Sequence, residues 1–169
     1  MLDMKLQVVV LPVDDVDRAK AFYRSIGFRE IYDHSEGDDF RVVQLTPPGS
    51  EASIVFGTGV TVAAPGSIQG LVLVVRDIAI ARVDLTDRGV DVSGVFHDID
   101  GVFYHVAPEY EVPGLDPARR DYRSYARFRD PDGNTWVLQE ARHLAPDVAP
   151  PPESREATSG PEAESVSPT

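Results

Sequence analysis

The chain has 169 residues, 42% of them hydrophobic, enough to bury a core as one domain or two closely packed halves. A formal charge of -12 and a pI near 4.6 argue against nucleic acid and anionic membrane as partners. The lack of cysteine excludes disulfides, thiolate zinc sites and cysteine nucleophiles. No apolar run reaches the ~20 residues that span a bilayer. The chain starts straight into a strand-like run with no leader pattern, so a cytoplasmic location is expected.

Lys5 to Leu11 is rich in Val and Leu, the pattern of a buried strand that Pro12 ends. Asp14 and Asp15 stand where a helix N-cap and first turn favour carboxylates. Val16, Ala19, Phe22, Tyr23 and Ile26 then recur at helical spacing, and Gly27 is placed to close the helix. Phe28 to Asp33 and Phe40 to Leu45 read as strands around a polar turn from His34 to Asp39, and Ala52 to Phe56 follows the turn Pro47-Pro48-Gly49-Ser50. The order is βαβββ over residues 5–57.

After a Gly- and Ala-rich linker the order repeats over residues 68–140, with strands at Gln69 to Val75, Val90 to Val95, Ser124 to Phe128 and Thr135 to Gln139, and a helix at Ile78 to Arg88. Asp130-Pro131-Asp132-Gly133 is a strong turn between the last two strands. The repeat is a true duplication in pattern. Asp15 and Asp77, like Gly27 and Gly89, are 62 positions apart. Phe96 to Arg123 is an insertion far longer than ordinary connections, and its aromatic residues favour an ordered, packed loop. The domain is expected to end near 143, and the Pro-, Ser- and Glu-rich residues 144–169 to form a disordered tail.

Two tandem βαβββ units, with Leu11-Pro12-Val13-Asp14-Asp15-Val16-Asp17-Arg18-Ala19-Lys20-Ala21-Phe22-Tyr23 opening the first and Asp130-Pro131-Asp132-Gly133-Asn134-Thr135-Trp136 near the end of the second, resemble the vicinal oxygen chelate superfamily. That group holds glyoxalases, extradiol dioxygenases and bleomycin-binding proteins. The resemblance covers Lys5 to about Glu140 and implies an α+β fold in which each unit curls into a half-barrel and the paired halves surround a cavity. It also implies a homodimer.

The superfamily's enzymes take one metal ligand from the first and one from the last strand of each unit. The resemblance maps these positions onto Val8, Val55, Gly70 and Val137, none of which carries a donor group. No metal and no cofactor are therefore expected. The implied ligand is a small, largely apolar organic molecule, contacted by Val8, Val10, Gln44, Val55, Gly70, Val72 and Val137 and covered by Phe103, Tyr104 and His105 of the insertion. The alternative is an enzyme, a lyase, isomerase or dioxygenase, using a non-standard metal set or the acid–base candidates His97, Tyr104 and His105.

Further residues are weighed in the same way. Glu140 is expected to face solvent at a strand end, His34 to lie in a turn, and Arg41 to share the cavity side with Gln44. Trp136 and Tyr23 are expected to pack in the core. Arg119, Arg120, Arg123, Arg127 and Arg129 form a basic island whose simplest account is pairing with nearby carboxylates.

Overall fold

The computed structural model describes residues 2–99 and 108–143. Phe103, Tyr104, His105 and the tail 144–169 lie outside the described residues.

The first unit consists of β1 (Val8–Val10), α1 (Val16–Ser25), β2 (Arg29–Glu36), β3 (Phe40–Thr46) and β4 (Ser53–Thr58). The second consists of β5 (Leu71–Val75), α2 (Ile78–Asp87), β6 (Phe96–Asp98), a 3-10 turn at Pro108–Tyr110, β7 (Glu111–Pro113), β8 (Ser124–Arg129) and β9 (Thr135–Glu140). The units form two mixed sheets, ordered β1-β4-β3-β2 and β5-β9-β8-β6-β7. In each sheet the first strand runs parallel to the last, as β1 does to β4 and β5 to β9.

The duplication extends to single hydrogen bonds. Asp15 caps α1 by accepting from Arg18 N, and Asp77 caps α2 by accepting from Ile80 N, each at 2.9 Å. Phe28 N reaches Tyr23 O at one helix end and Val90 N reaches Leu85 O at the other, both at 3.0 Å. Gly27 and Gly89 adopt φ of 98° and 86° there, conformations that a β-carbon disfavours.

Three boundaries differ from the sequence pattern. β1 is shorter than Lys5 to Leu11, because its partner β4 begins at Ser53 opposite Val8. β2 runs on through His34 to Glu36, since β3 pairs with it as far as Phe40. Val90 to Val95 is not a strand and makes one bridge, Val92 to Phe128. Ser93 interrupts it. Its N–H donates to Arg127 O, but its hydroxyl accepts from Arg127 N and its carbonyl accepts from Arg82 Nε, so the ladder does not continue past it. The second strand of this unit forms instead inside the insertion, where β6 joins β8 and carries β7 on its outer side.

One hydrophobic core spans both units. Leu11, Val43, Leu45, Ile54 and Phe56 enter from the first sheet and Ala126, Phe128, Trp136 and Leu138 from the second, with Ala19, Tyr23, Ile78 and Leu85 from the helices. Tyr23 is central, its ring lying 5.9 Å from Phe56 and 6.0 Å from Trp136. Its hydroxyl donates to Asp130 Oδ2 at 2.8 Å and accepts from Trp136 Nε1 at 3.0 Å. Burial, reinforced by the Asp130 charge, holds the phenol well above its usual pKa. The rest of the Asp-Pro-Asp-Gly-Asn turn ties the units together. Asn134 Nδ2 donates to Pro12 O, and Asp132 Oδ1 accepts from Asp14 N and Arg18 Nη2.

Candidate functional site

Side chains alternate across a strand, so the residues next to each core position mark the opposite face of the sheet. In the first sheet that face presents Val8 and Val10 of β1, Ser53 and Val55 of β4, Val42, Gln44 and Thr46 of β3, and Tyr32 and His34 of β2. Val10, Val55, Gln44 and Tyr32 form one row across the four strands by register. Val8 and Val10 remain exposed. Gln44 Nε2 donates to Ser53 Oγ at 3.1 Å, and Ser53 Oγ lies 2.7 Å from Thr46 Oγ1, so these polar groups of the face are held by one another. The Tyr32 and His34 rings stack at 5.8 Å.

In the second sheet the corresponding face holds Val72 and Val74 of β5, Val137 and Gln139 of β9, Tyr125 and Arg127 of β8, and Phe96 of β6. Val72, Val137 and Arg127 share a row. The Arg127 guanidinium sits 4.4 Å over the Phe96 ring and pairs with Glu111. Phe96 also lies against Tyr125 at 5.6 Å.

The predicted contact residues thus fall into two sets. Val8, Val10, Gln44 and Val55 meet on one sheet, and Val72 and Val137 meet on the other. Both faces point away from the shared core. Gly70 lies one residue before β5 with φ 74°, its N–H donating to Thr135 Oγ1 at 2.7 Å. Space beside it is open, yet a side chain there is strained by the backbone. His97 faces away from Phe96, with Nδ1 3.0 Å from Gly114 O, and so stands apart from the apolar rows.

Three sequence readings are corrected. His34 lies in a strand on the open face. Arg41 lies on the helix side, opposite Gln44, where it donates to Asp33 and Asp17. The Arg41 and Lys20 charges hold the Asp33 carboxyl well below its usual range. Glu140 is only 1% exposed, because β9 turns it toward α2. Its Oε1 accepts from Ile78 N at 3.3 Å and from Arg119 at 3.1 Å, so it serves as a second cap on the helix. Three of the five island arginines are paired, Arg119 with Glu140, Arg120 with Asp116 and Arg127 with Glu111. Tyr32, His34, Phe96, Arg127 and Gln139 are not among the sequence-predicted contacts, and counting by two from Val137 marks Gln139 alone, the others lying on separate strands.

The donor set does not fit the superfamily's divalent metal. Val8, Val55 and Val137 are aliphatic, Gly70 has no side chain, and the nearby carboxylate Glu140 is engaged on the far side of its sheet. Among the described residues no three His, Asp, Glu or Cys side chains come together as a metal cluster. No described helix is long and apolar enough to cross a membrane.

The sequence model of the Glyoxalase/Bleomycin resistance protein/Dioxygenase superfamily matches residues 5–138. Among solved structures, TnmS3, an antibiotic binding protein from Streptomyces sp. CB03234, is 30% identical, with a TM-score of 0.61 over 83% of this chain and 98% of that one. A glyoxalase/bleomycin resistance protein from the same organism is 29% identical, with a TM-score of 0.58 over 80% of this chain and all of its own. A superfamily member from Sphaerobacter thermophilus DSM 20745 is 26% identical, with a TM-score of 0.61 over 83% of this chain and 100% of that one. No curated protein matches.

Proposed function

The chain belongs to the Glyoxalase/Bleomycin resistance protein/Dioxygenase superfamily, and from that premise we propose that it binds a small, largely apolar organic molecule of the antibiotic kind, without a metal. The observation that carries this reading is the apolar patch of Val8, Val10 and Val55 beside Gln44, with Val8 and Val10 exposed. A ligand site combines apolar walls with a few polar groups that set orientation, and Gln44, held in place by Ser53, supplies one here. Val72 and Val137 with Arg127 and Phe96 supply a second wall. The two walls face away from the common core, so a closed cavity needs a second copy of the chain, and the protein acts as a homodimer. The likeness to an antibiotic binding protein supports the ligand class.

Native mass spectrometry of the purified protein against a panel of antibiotics, with metal content read on the same sample, tests this. The expected result is stoichiometric binding of an unmodified ligand, lost in Val55→Asp. A chemically altered ligand, or a stoichiometric divalent metal in the cavity, overturns it.

A further inference from the structure

Carboxylates outnumber lysines and arginines 28 to 16 in this chain, and most described basic side chains pair with one. Arg129 is an exception. It is exposed at the end of β8 and, among the described residues, its side chain makes no hydrogen bond or ion pair. Asp91, next to the Val92 bridge on the same strand, forms no ion pair with it. Strand alternation puts Arg129 on the open face of the second sheet beside Arg127, since Ala126 and Phe128 turn to the core. The half-buried Arg123 has the same parity and is also unpaired among the described residues. One face of β8 thus gathers three arginines, of which only Arg127 holds a carboxylate.

Arg127 is fixed from two sides, by the Phe96 ring beneath it and by Glu111. Its bond to Glu111 uses Nη1 alone, which leaves the Nη2 and Nε donors available among the described residues. Register sets Arg127 in line with Val137 and Val72, and Arg129 in line with Thr135. Gly70 completes the second row through its bond to Thr135, and a β-carbon built there meets nothing within 4 Å. This end of the wall therefore joins an apolar strip to two neighbouring guanidiniums and to open space. A guanidinium is a planar fork of donors that matches a carboxylate or sulfonate, and next to an apolar surface the attraction is screened less than in bulk water. The charge of -12 on the whole chain disfavours an extended polyanion and leaves a small molecule with one anionic group. We propose that the second wall takes a hydrophobic organic anion, its apolar body on Val72 and Val137 and its carboxylate or sulfonate on Arg129 and Arg127. This rests on the functional reading above and names the charge of the ligand.

Two dyes of one aromatic frame test this by fluorescence titration, the anionic 8-anilinonaphthalene-1-sulfonate and the neutral N-phenyl-1-naphthylamine. The anionic dye should bind at least ~tenfold more tightly. Arg129→Gln should weaken the anionic dye ~tenfold and leave the neutral dye unchanged, while Arg129→Lys keeps part of the preference. Arg142→Gln, at an exposed arginine outside the wall, should change neither. Arg129 is exposed and unpaired, so thermal melts of its variants should match the parent. Equal affinity for the two dyes, or an Arg129→Gln variant that keeps its preference for the anionic one, overturns the inference and leaves the functional reading standing. A protein that binds neither dye overturns both.

Discussion

The phenol of Tyr23 in α1 donates a 2.8 Å hydrogen bond to Asp130 in the turn between β8 and β9, joining two units 107 residues apart in sequence. Both side chains are buried, and the Trp136 indole donates back to the same hydroxyl. Removing that hydroxyl strands a buried acceptor and a buried donor together. Tyr23→Phe is expected to cost about 1–3 kcal/mol by denaturant unfolding. Asp130→Ala should cost more, roughly 3 kcal/mol or above, because its carboxylate also accepts from Asn134 Nδ2 and two backbone N–H groups. A neutral Tyr23→Phe would show that this bond does not hold the units together.

Glu140 is expected to matter for stability and not for ligand. Glu140→Ala removes the second cap on Ile78 N and leaves Arg119 without its carboxylate, at a cost of about 2 kcal/mol. A double-mutant cycle with Arg119→Ala should return a coupling of about 1 kcal/mol. Loss of ligand binding with unchanged stability would instead place Glu140 in the site.

Acid should weaken the first unit through Asp33. Its folded-state pKa is depressed from 3.8, first by hydrogen bonding to Arg41 and then to Lys20. A depressed carboxyl contributes stability that is present above its unfolded pKa and lost as pH falls toward the folded value. Stability should therefore decline below about pH 4, and Asp33→Asn should flatten part of that decline. A variant curve that falls as steeply as the parent's would refute the assignment.

The second wall offers a contrast between two positions. Val137 is 7% exposed, and Val137→Asp should destabilise by roughly 2 kcal/mol or more through an unpaired buried carboxylate. Gly70→Ala meets open space, yet should still cost about 1 kcal/mol from its left-handed backbone. Thermal melts of the two variants decide this. A silent Val137→Asp would mean that this face is wet.

The sequence by itself determined the duplicated βαβββ order, the helix caps Asp15 and Asp77, the terminating glycines and the core placement of Tyr23 and Trp136. Each of these is encoded locally, by a cap, a turn residue or a period. It also determined that Val8, Val55, Gly70 and Val137 offer no metal donor, which depends on residue identity alone. Tertiary structure decided which face each residue serves. Arg41 and Gln44 part company because they are an odd number of residues apart on one strand. Glu140 turns inward because it alternates with Leu138 and Trp136 on the core side of β9, and His34 enters a strand because β3 extends to meet it. The second strand of the second unit moves from Val90–Val95 to Phe96–Asp98, where β6 pairs with β8 and β7. Only the packed units show that the core lies between them, with the apolar rows of both sheets turned outward. Local patterns fix which residues can be buried, while the pairing of distant strands and helices chooses what buries them.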